Sequence, residues 1–269
     1  MNTKKLIFLL LIGLSILSCK KDKNEDAPID QQETGVTNET SPSSFQQKVL
    51  IEEFTGEWCG YCPSGAQYLQ STISDYPGKI VAAAFHVGDP FEISTSNTFA
   101  NKFNVTGYPS ALIQRKLWNG AYATSRSLWS NLAGQVLQQA ATGGLKIQTS
   151  VDNNSLDIAV DMALTTNDTN MYLTVYLISE DVPESAPGAQ TGAQPGYVHH
   201  HVVQKVILLN SQETFSNGFV SRNVITDVDI SSYDQNNLKV VAFLHHNDTG
   251  NYEVINAQEV EVGQNSDWD

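Results

Sequence analysis

Cys59 and Cys62 stand two residues apart in the run Glu53-Phe54-Thr55-Gly56-Glu57-Trp58-Cys59-Gly60-Tyr61-Cys62-Pro63. Sulfurs at that spacing can join across a tight turn, and Gly60 gives the backbone the freedom to make it. An apolar, strand-like stretch, Val49-Leu50-Ile51, precedes the run, and a segment of helical periodicity follows it. Cys59 therefore belongs at a strand-to-helix turn, where unpaired backbone N–H groups and the helix dipole favour negative charge. A thiol placed there ionises more easily, and the thiolate is the reactive form. A fall of about two units from ~8.5 makes it the dominant species at neutral pH. The chemistry in prospect is dithiol–disulfide exchange.

Two other uses of the pair compete. A structural zinc site needs four ligands, usually two such pairs, and Cys19 is the only other cysteine. A purely structural disulfide is the second alternative, although so short a loop constrains the unfolded chain little. No cofactor or resident metal is expected.

The stretch Val49 to Cys62 resembles the central strand and active-site turn of thioredoxin-like proteins. The resemblance implies that Glu53, six residues before Cys59, is the buried acid that moves protons during exchange. Farther on, Phe103-Asn104-Val105-Thr106-Gly107-Tyr108-Pro109-Ser110 resembles the loop that carries their cis-proline, which places Pro109 against the disulfide. The likeness covers roughly residues 45–142. Thr55 and Gly56 depart from it by replacing bulkier residues, and the insert between the two motifs is longer.

The elements that must hold these residues follow from periodicity. Ala66, Leu69, Ile73 and Tyr76 recur at helical spacing until Pro77-Gly78, and Pro63 is tolerated in a first turn. Lys79 to Val87 reads as a buried strand, Gly88 to Ser96 as an irregular insert, and Thr98 to Phe103 as a short helix. Ser110 to Lys116 reads as a strand and Asn119-Gly120 as a hairpin turn. Ser125 to Ala141 is a helix with Leu128, Leu132, Val136 and Leu137 on one face, ended by Gly143-Gly144. The order is β-α-β-α-β-β-α.

From Leu145 the period becomes two. Leu145 to Val151 and Leu156 to Leu164 alternate, and further strands are expected around 171–179, 197–209, 223–230, 238–245 and 252–262. About seven strands without helices suggest an antiparallel sandwich. The expected fold is thus an α/β thioredoxin-like domain at 45–142, followed by an all-β immunoglobulin-like sandwich domain at 143–269. The longest loop is the Pro/Gly/Ala-rich stretch 183–196, and long loops are functional or mobile.

Histidines offer a further reading. His86 ends a strand, as a hydrogen-bonded side chain or within reach of the thiols. His199 and His201 are expected on one strand face with His200 on the other, and His245-His246 precede a turn. Imidazoles two apart can share a metal, yet no third ligand is identifiable, so half-exposed strand histidines are the default.

Lys4-Lys5 and the apolar run Leu6 to Leu17 form a leader too short to span a bilayer as a mature helix. It ends Ile16-Leu17-Ser18-Cys19, which resembles the bacterial lipoprotein signal and implies cleavage before a lipidated Cys19. Residues 1–19 are then the signal with its lipidation site. Residues 20–44, almost without apolar side chains, form a disordered tether. A net charge of −14 argues against nucleic-acid binding, which needs a basic face.

The leader, the tether, Val-Leu-Ile-Glu-Glu-Phe-Thr-Gly with Cys-Gly-Tyr-Cys-Pro, and His199-His200-His201-Val202-Val203 are together similar to an outer-membrane lipoprotein family of the Bacteroidetes, named for a twenty-eight-kilodalton protein. That likeness implies two domains and lipid-anchored placement at the outer membrane, facing periplasm or cell surface. The expected function is a membrane-tethered thiol–disulfide oxidoreductase or isomerase acting on protein thiols or disulfides of the cell envelope. Cys59 attacks, Cys62 resolves, Glu53 relays the proton and Pro109 shapes the groove. The alternative is a binding or adhesion lipoprotein whose sandwich engages a partner, with the dithiol redox-inactive. Metal delivery through Cys59, Cys62 and His86 is a third reading.

Overall fold

Val49–Thr55 (β1) is buried along its whole length, as befits a strand near the middle of a sheet with both faces covered. The computed structural model describes residues 42–166, 170–215 and 220–268. The expected leader, lipidated Cys19 and the tether up to residue 41 lie outside the described residues.

After β1 come α1 (Cys62–Asp75), β2 (Ile80–His86), α2 (Ser96–Lys102), β3 (Ser110–Ile113), β4 (Ala123–Ser125) and α3 (Trp129–Leu137). This is the β-α-β-α-β-β-α order expected from the sequence. β1 runs parallel to β2 and antiparallel to β3, and β4 continues antiparallel at the edge. Leu69 of α1 and Trp129, Leu132, Ala133 and Val136 of α3 cover one sheet face, over Val49, Ile51, Ile80 and Ile113. On the other face, Phe99, Ala100 and Phe103 lie against Leu50, Phe54, Phe85 and Leu112.

The second half contributes β5 (Gly143–Asp152), β6 (Ser155–Leu164), β7 (Tyr172–Ser179), β8 (Val182–Pro183), β9 (Val198–His199), β10 (Val202–Gln212), β11 (Val220–Asp229), β12 (Leu238–His245) and β13 (Val254–Glu261). Here the structure departs from a self-contained immunoglobulin-like sandwich. β10 joins β2 in parallel at Val202 and Ala84, which makes one eight-stranded sheet, β13-β12-β7-β10-β2-β1-β3-β4. A three-stranded sheet, β11-β6-β5, packs on the second-half part of it. Two layers do face each other, but one is continuous with the sheet that holds β1, the strand leading to Cys59. Residue pattern explains why. On β7, Leu173, Val175 and Leu177 point to the small sheet, while Tyr176 and Ile178 point to the core under α2. β12 divides the same way, with Val240, Ala242 and Leu244 on one side and Val241 and Phe243 on the other. Strands buried on both faces belong inside a covered sheet.

β3 stops at Ile113, short of the expected Lys116, because Gln114 and Arg115 adopt left-handed backbone (φ 56° and 47°). That turn carries Arg115 into the core. Its Nε and Nη2 donate to the two Glu52 oxygens at 2.7 Å each, and Nη2 also donates to the Tyr176 hydroxyl at 2.7 Å. Glu52 sits on β1 and Tyr176 on β7, so a buried charged fork joins the two halves. Phe99, Phe103 and Phe243 rings surround the guanidinium at 4.8–5.4 Å.

Candidate active site

α1 begins at Cys62, with Pro63 in its first turn, where a missing N–H costs nothing. The approach is a tight turn: Cys59 N–H donates to Gly56 O at 3.0 Å and Cys62 N–H to Cys59 O at 3.1 Å. Cys59 and Cys62 are joined in a disulfide.

Gly65, one turn into α1, sets what lies beneath. A Cβ there would come within 2.7 Å of Glu53 Oε1 and within 2.7 Å of both Cβ and Cγ of Pro109. Only a glycine lets the helix, the acid and the proline meet this closely. The Tyr108–Pro109 peptide is cis. Glu53 is 3% exposed, and its Oε1 has no hydrogen-bond partner among the described residues. Burial alone pushes the carboxyl up to about 8, so it is largely protonated at neutral pH.

His86 is held by Asp89, Nδ1 to Oδ2 at 2.6 Å, which agrees with a hydrogen-bonded histidine at a strand end. Burial works to raise Asp89, but the His86 hydrogen bond and charge and the amides of Glu57 and Phe91 outweigh it and leave the carboxyl lowered. His199 packs edge-on to His86 at 4.8 Å and to Tyr197 at 4.9 Å, with Nε2 3.6 Å from Glu57 Oε1. Burial, then the nearby His86, lowers His199 to about 4, so it is neutral near pH 7. The Tyr197 phenol is pushed up to about 12, first by burial and then by the Glu53 carboxylate.

The expectation that His199 and His201 share a strand face is not met. The chain leaves β9 at His199, turns through His201 in left-handed backbone (φ 57°), and starts β10 at Val202. His199 is buried near Glu57, His201 pairs with Glu180 at 2.7 Å, and His200 lies outward near Asp181. His245 is buried, bonded to Thr174 and the His246 carbonyl. Among the described residues, no group of three or more His, Cys, Asp or Glu is placed to hold a metal ion.

Periodicity did not point to the loop between β8 and β9, which lies over the cysteine turn. Ser185 N–H and Oγ both donate to the Glu57 carboxylate, the former at 2.7 Å. Thr191 N–H donates to Glu57 O at 2.7 Å, and Gln190 Nε2 to Cys59 O at 3.2 Å. Gly192 (φ 82°) lies so close that a Cβ on it would be 2.3 Å from Gly60 O. Cys59, expected as the attacking thiolate, is only 4% exposed beneath this loop, and Cys62 is 2%. The readable signal was composition and length, because a long Pro/Gly/Ala loop can lie flat on another turn.

Outside this cover, Trp58 and Tyr61 are 49% and 70% exposed, and the Arg126 guanidinium lies over the Tyr61 and Tyr68 rings. Trp58 also packs edge-on to Tyr108 at 5.2 Å. A groove of about 500 Å³ runs from Tyr108, Pro109 and Ser110 to Tyr122 and Ser125 of the sheet edge. No helix among the described residues is long and apolar enough to cross a membrane.

The profile of the family described as "Outer membrane protein Omp28" matches residues 96–266, a span that holds Pro109 and the covering loop. Among solved structures, the chain is similar to HBP35 of Porphyromonas gingivalis at 18% identity and TM-score 0.72, over 81% of this chain and 76% of that one. It is also similar to protein AGR_C_4864 from Agrobacterium tumefaciens at 12% identity and TM-score 0.53, over 83% and 97%. These two likenesses show a shared fold. A domain of the outer membrane lipoprotein Omp28 from Porphyromonas gingivalis aligns at 17% identity and TM-score 0.31, over 46% and 97%. No curated protein sequence matches. With more than half of its residues matched by the profile, the chain belongs to the Omp28 outer membrane protein family.

Proposed function

We propose that this protein is a thiol–disulfide oxidoreductase of the cell envelope, built on a thioredoxin-like first half and tethered by a lipid on Cys19. The observation that carries the reading is the meeting at Gly65 of the Cys59–Cys62 helix, the buried Glu53 and the cis Pro109. In the reduced protein, the Cys59 thiolate attacks one sulfur of a substrate disulfide. That S–S bond breaks, a mixed disulfide forms, and the other substrate sulfur leaves and takes up a proton. Cys62 then gives its proton to ionised Glu53 and attacks Cys59, which releases the second substrate thiol. The substrate gains two electrons and two protons, and the pair ends as the disulfide. A Glu53 pKa of about 8 lies near that of an ordinary thiol, so the transfer between them is close to isoenergetic.

Burial of both sulfurs favours a second reading, in which the dithiol is inert and the protein is a binding lipoprotein. Insulin reduction separates the two. With dithiothreitol as electron source, the full chain should accelerate precipitation of the insulin B chain, and Cys59→Ser should return the rate to that of dithiothreitol alone. A wild-type protein no faster than the reductant removes the oxidoreductase reading.

The anchor is tested separately. Cells fed labelled palmitate should incorporate label into wild-type protein and none into Cys19→Ala. Equal labelling of both overturns the lipid assignment.

A further inference from the structure

We infer that residues 184–196 form an autoinhibitory strap that occupies the place of an extended, unfolded polypeptide substrate. The inference rests on reading the cysteine pair as an exchange site. Lifting the strap would leave acceptors along the turn: the Glu57 and Cys59 carbonyls, and the Glu57 carboxylate. The strap meets all of them with donors, through Thr191 N–H, Gln190 Nε2, and Ser185 N–H and Oγ. The Glu57 carbonyl would then be bare, and the Cys59 carbonyl would keep a second lone pair free beside its bond from Cys62 N–H. Such acceptors select N–H groups, which an extended chain presents along its backbone and a folded domain has already used. Opposite Gly60 the strap carries Gly192, whose lack of a side chain allows the approach. The substrate must therefore be thin at that point, whereas exposed Trp58 and Tyr61 can take its apolar side chains on either side of Cys59.

The strap is built to hold its own shape when it moves. Glu184 accepts from the N–H groups of Gly188 at 2.9 Å and Gln190 at 3.1 Å, and also from Gly196. These bonds close the segment into a preformed loop. Its attachment to the turn, by contrast, consists of the four donor contacts above, with Gln190 as the only strap residue from Ser185 to Gly196 that is fully buried. Release thus breaks a few hydrogen bonds and leaves the apolar core intact.

Access can be measured without any enzyme activity. Tris(2-carboxyethyl)phosphine attacks one sulfur of the Cys59–Cys62 bond and releases the other as a thiolate. Water then supplies oxygen for the phosphine oxide and protons for two thiols. Full-length Ser185→Ala/Gln190→Ala should be reduced about tenfold faster than wild type, because two attachments of modest net strength are gone. Equal rates overturn the strap as a gate, whatever the insulin assay gives.

A second readout addresses the substrate class. In Cys62→Ala, Cys59 is loaded chemically with a ten-residue unstructured peptide from its activated mixed disulfide. Deuterium exchange at the Thr191 amide should rise to that of an open loop, and loading with glutathione should raise it less. Unchanged protection with peptide bound shows that the peptide does not take the strap's place. Faster reduction of the double variant together with no insulin activity supports the gate and rejects the enzyme, so the two claims fail independently.

Discussion

Replacing Arg115 with methionine should destabilise the protein by about 3–5 kcal/mol and lower its Tm by roughly 10 °C. The loss comes less from the missing contact than from what stays behind. Glu52 is fully buried, and both of its oxygens accept from the guanidinium, with Tyr176 hydroxyl donating to one of them at 2.8 Å. Without Arg115, the Glu52 carboxyl remains in an apolar core with a single phenol for company. Burial works to lower Arg115, but Glu52 and Tyr176 outweigh it and hold the guanidinium firmly charged. Burial drives the Tyr176 phenol far above its usual range, so it acts as a donor throughout. Glu52→Gln combined with Arg115→Met should recover most of the loss, since no charge is then left buried. Calorimetry on the two single variants and the double variant tests this. A loss under about 1 kcal/mol for Arg115→Met would reduce the fork to a passive contact.

Glu53→Gln should flatten the dependence of stability on pH. The folded-state pKa, about 8, lies above the unfolded 4.5, so the folded protein binds this proton more tightly. The resulting stability is fully present below pH 4.5 and lost as pH rises through 8, a total of about 5 kcal/mol. Glutamine has the same shape and no proton to lose. The variant should be the more stable protein near pH 9 and lose that advantage near pH 4, where a buried amide without partners costs about 1–3 kcal/mol. Urea titrations at both pH values test the sign. Function should move the other way. A mixed disulfide at Cys59 should resolve more slowly in Glu53→Gln, with the first attack by Cys59 much less affected and Cys62→Ala as the zero-resolution reference. Resolution at the wild-type rate from pH 6 to 8 leaves Glu53 as a structural acid only.

Local signals carried the first half of the chain. The apolar run Val49 to Ile51 and the helical spacing after Cys62 depend on neighbours in sequence, and each element stands where those neighbours place it. The second half was legible as strands and not as a sheet. Counting strands suggested a separate sandwich, yet the near-continuous apolar runs of β7 and β12 already carried the signature of strands covered on both faces. β3 ends three residues before the expected Lys116 because Gln114 and Arg115 turn left-handed, a conformation that no local pattern marks. The cysteine pair is legible from its spacing, whereas Glu53 and Pro109 are singled out by the resemblance to thioredoxin-like proteins. Glu57 and the strap are marked by neither, because their relation spans residues 57 and 185 and exists only once β8 and β9 are in place.

The parallel join of β10 to β2 also has a consequence in time. β2 is made early, and its far edge is closed by Val202 and by the Ala84 N–H bond to His201 O at 2.7 Å. A ribosome or translocon delivers the chain N-terminus first, so that edge stays bare while more than a hundred residues are still to come. An unpaired, apolar parallel strand is a template for foreign strands. The nascent protein is therefore most vulnerable to aggregation in the interval before β10 emerges, and for nearly all of that interval the cysteine turn stands without its covering loop.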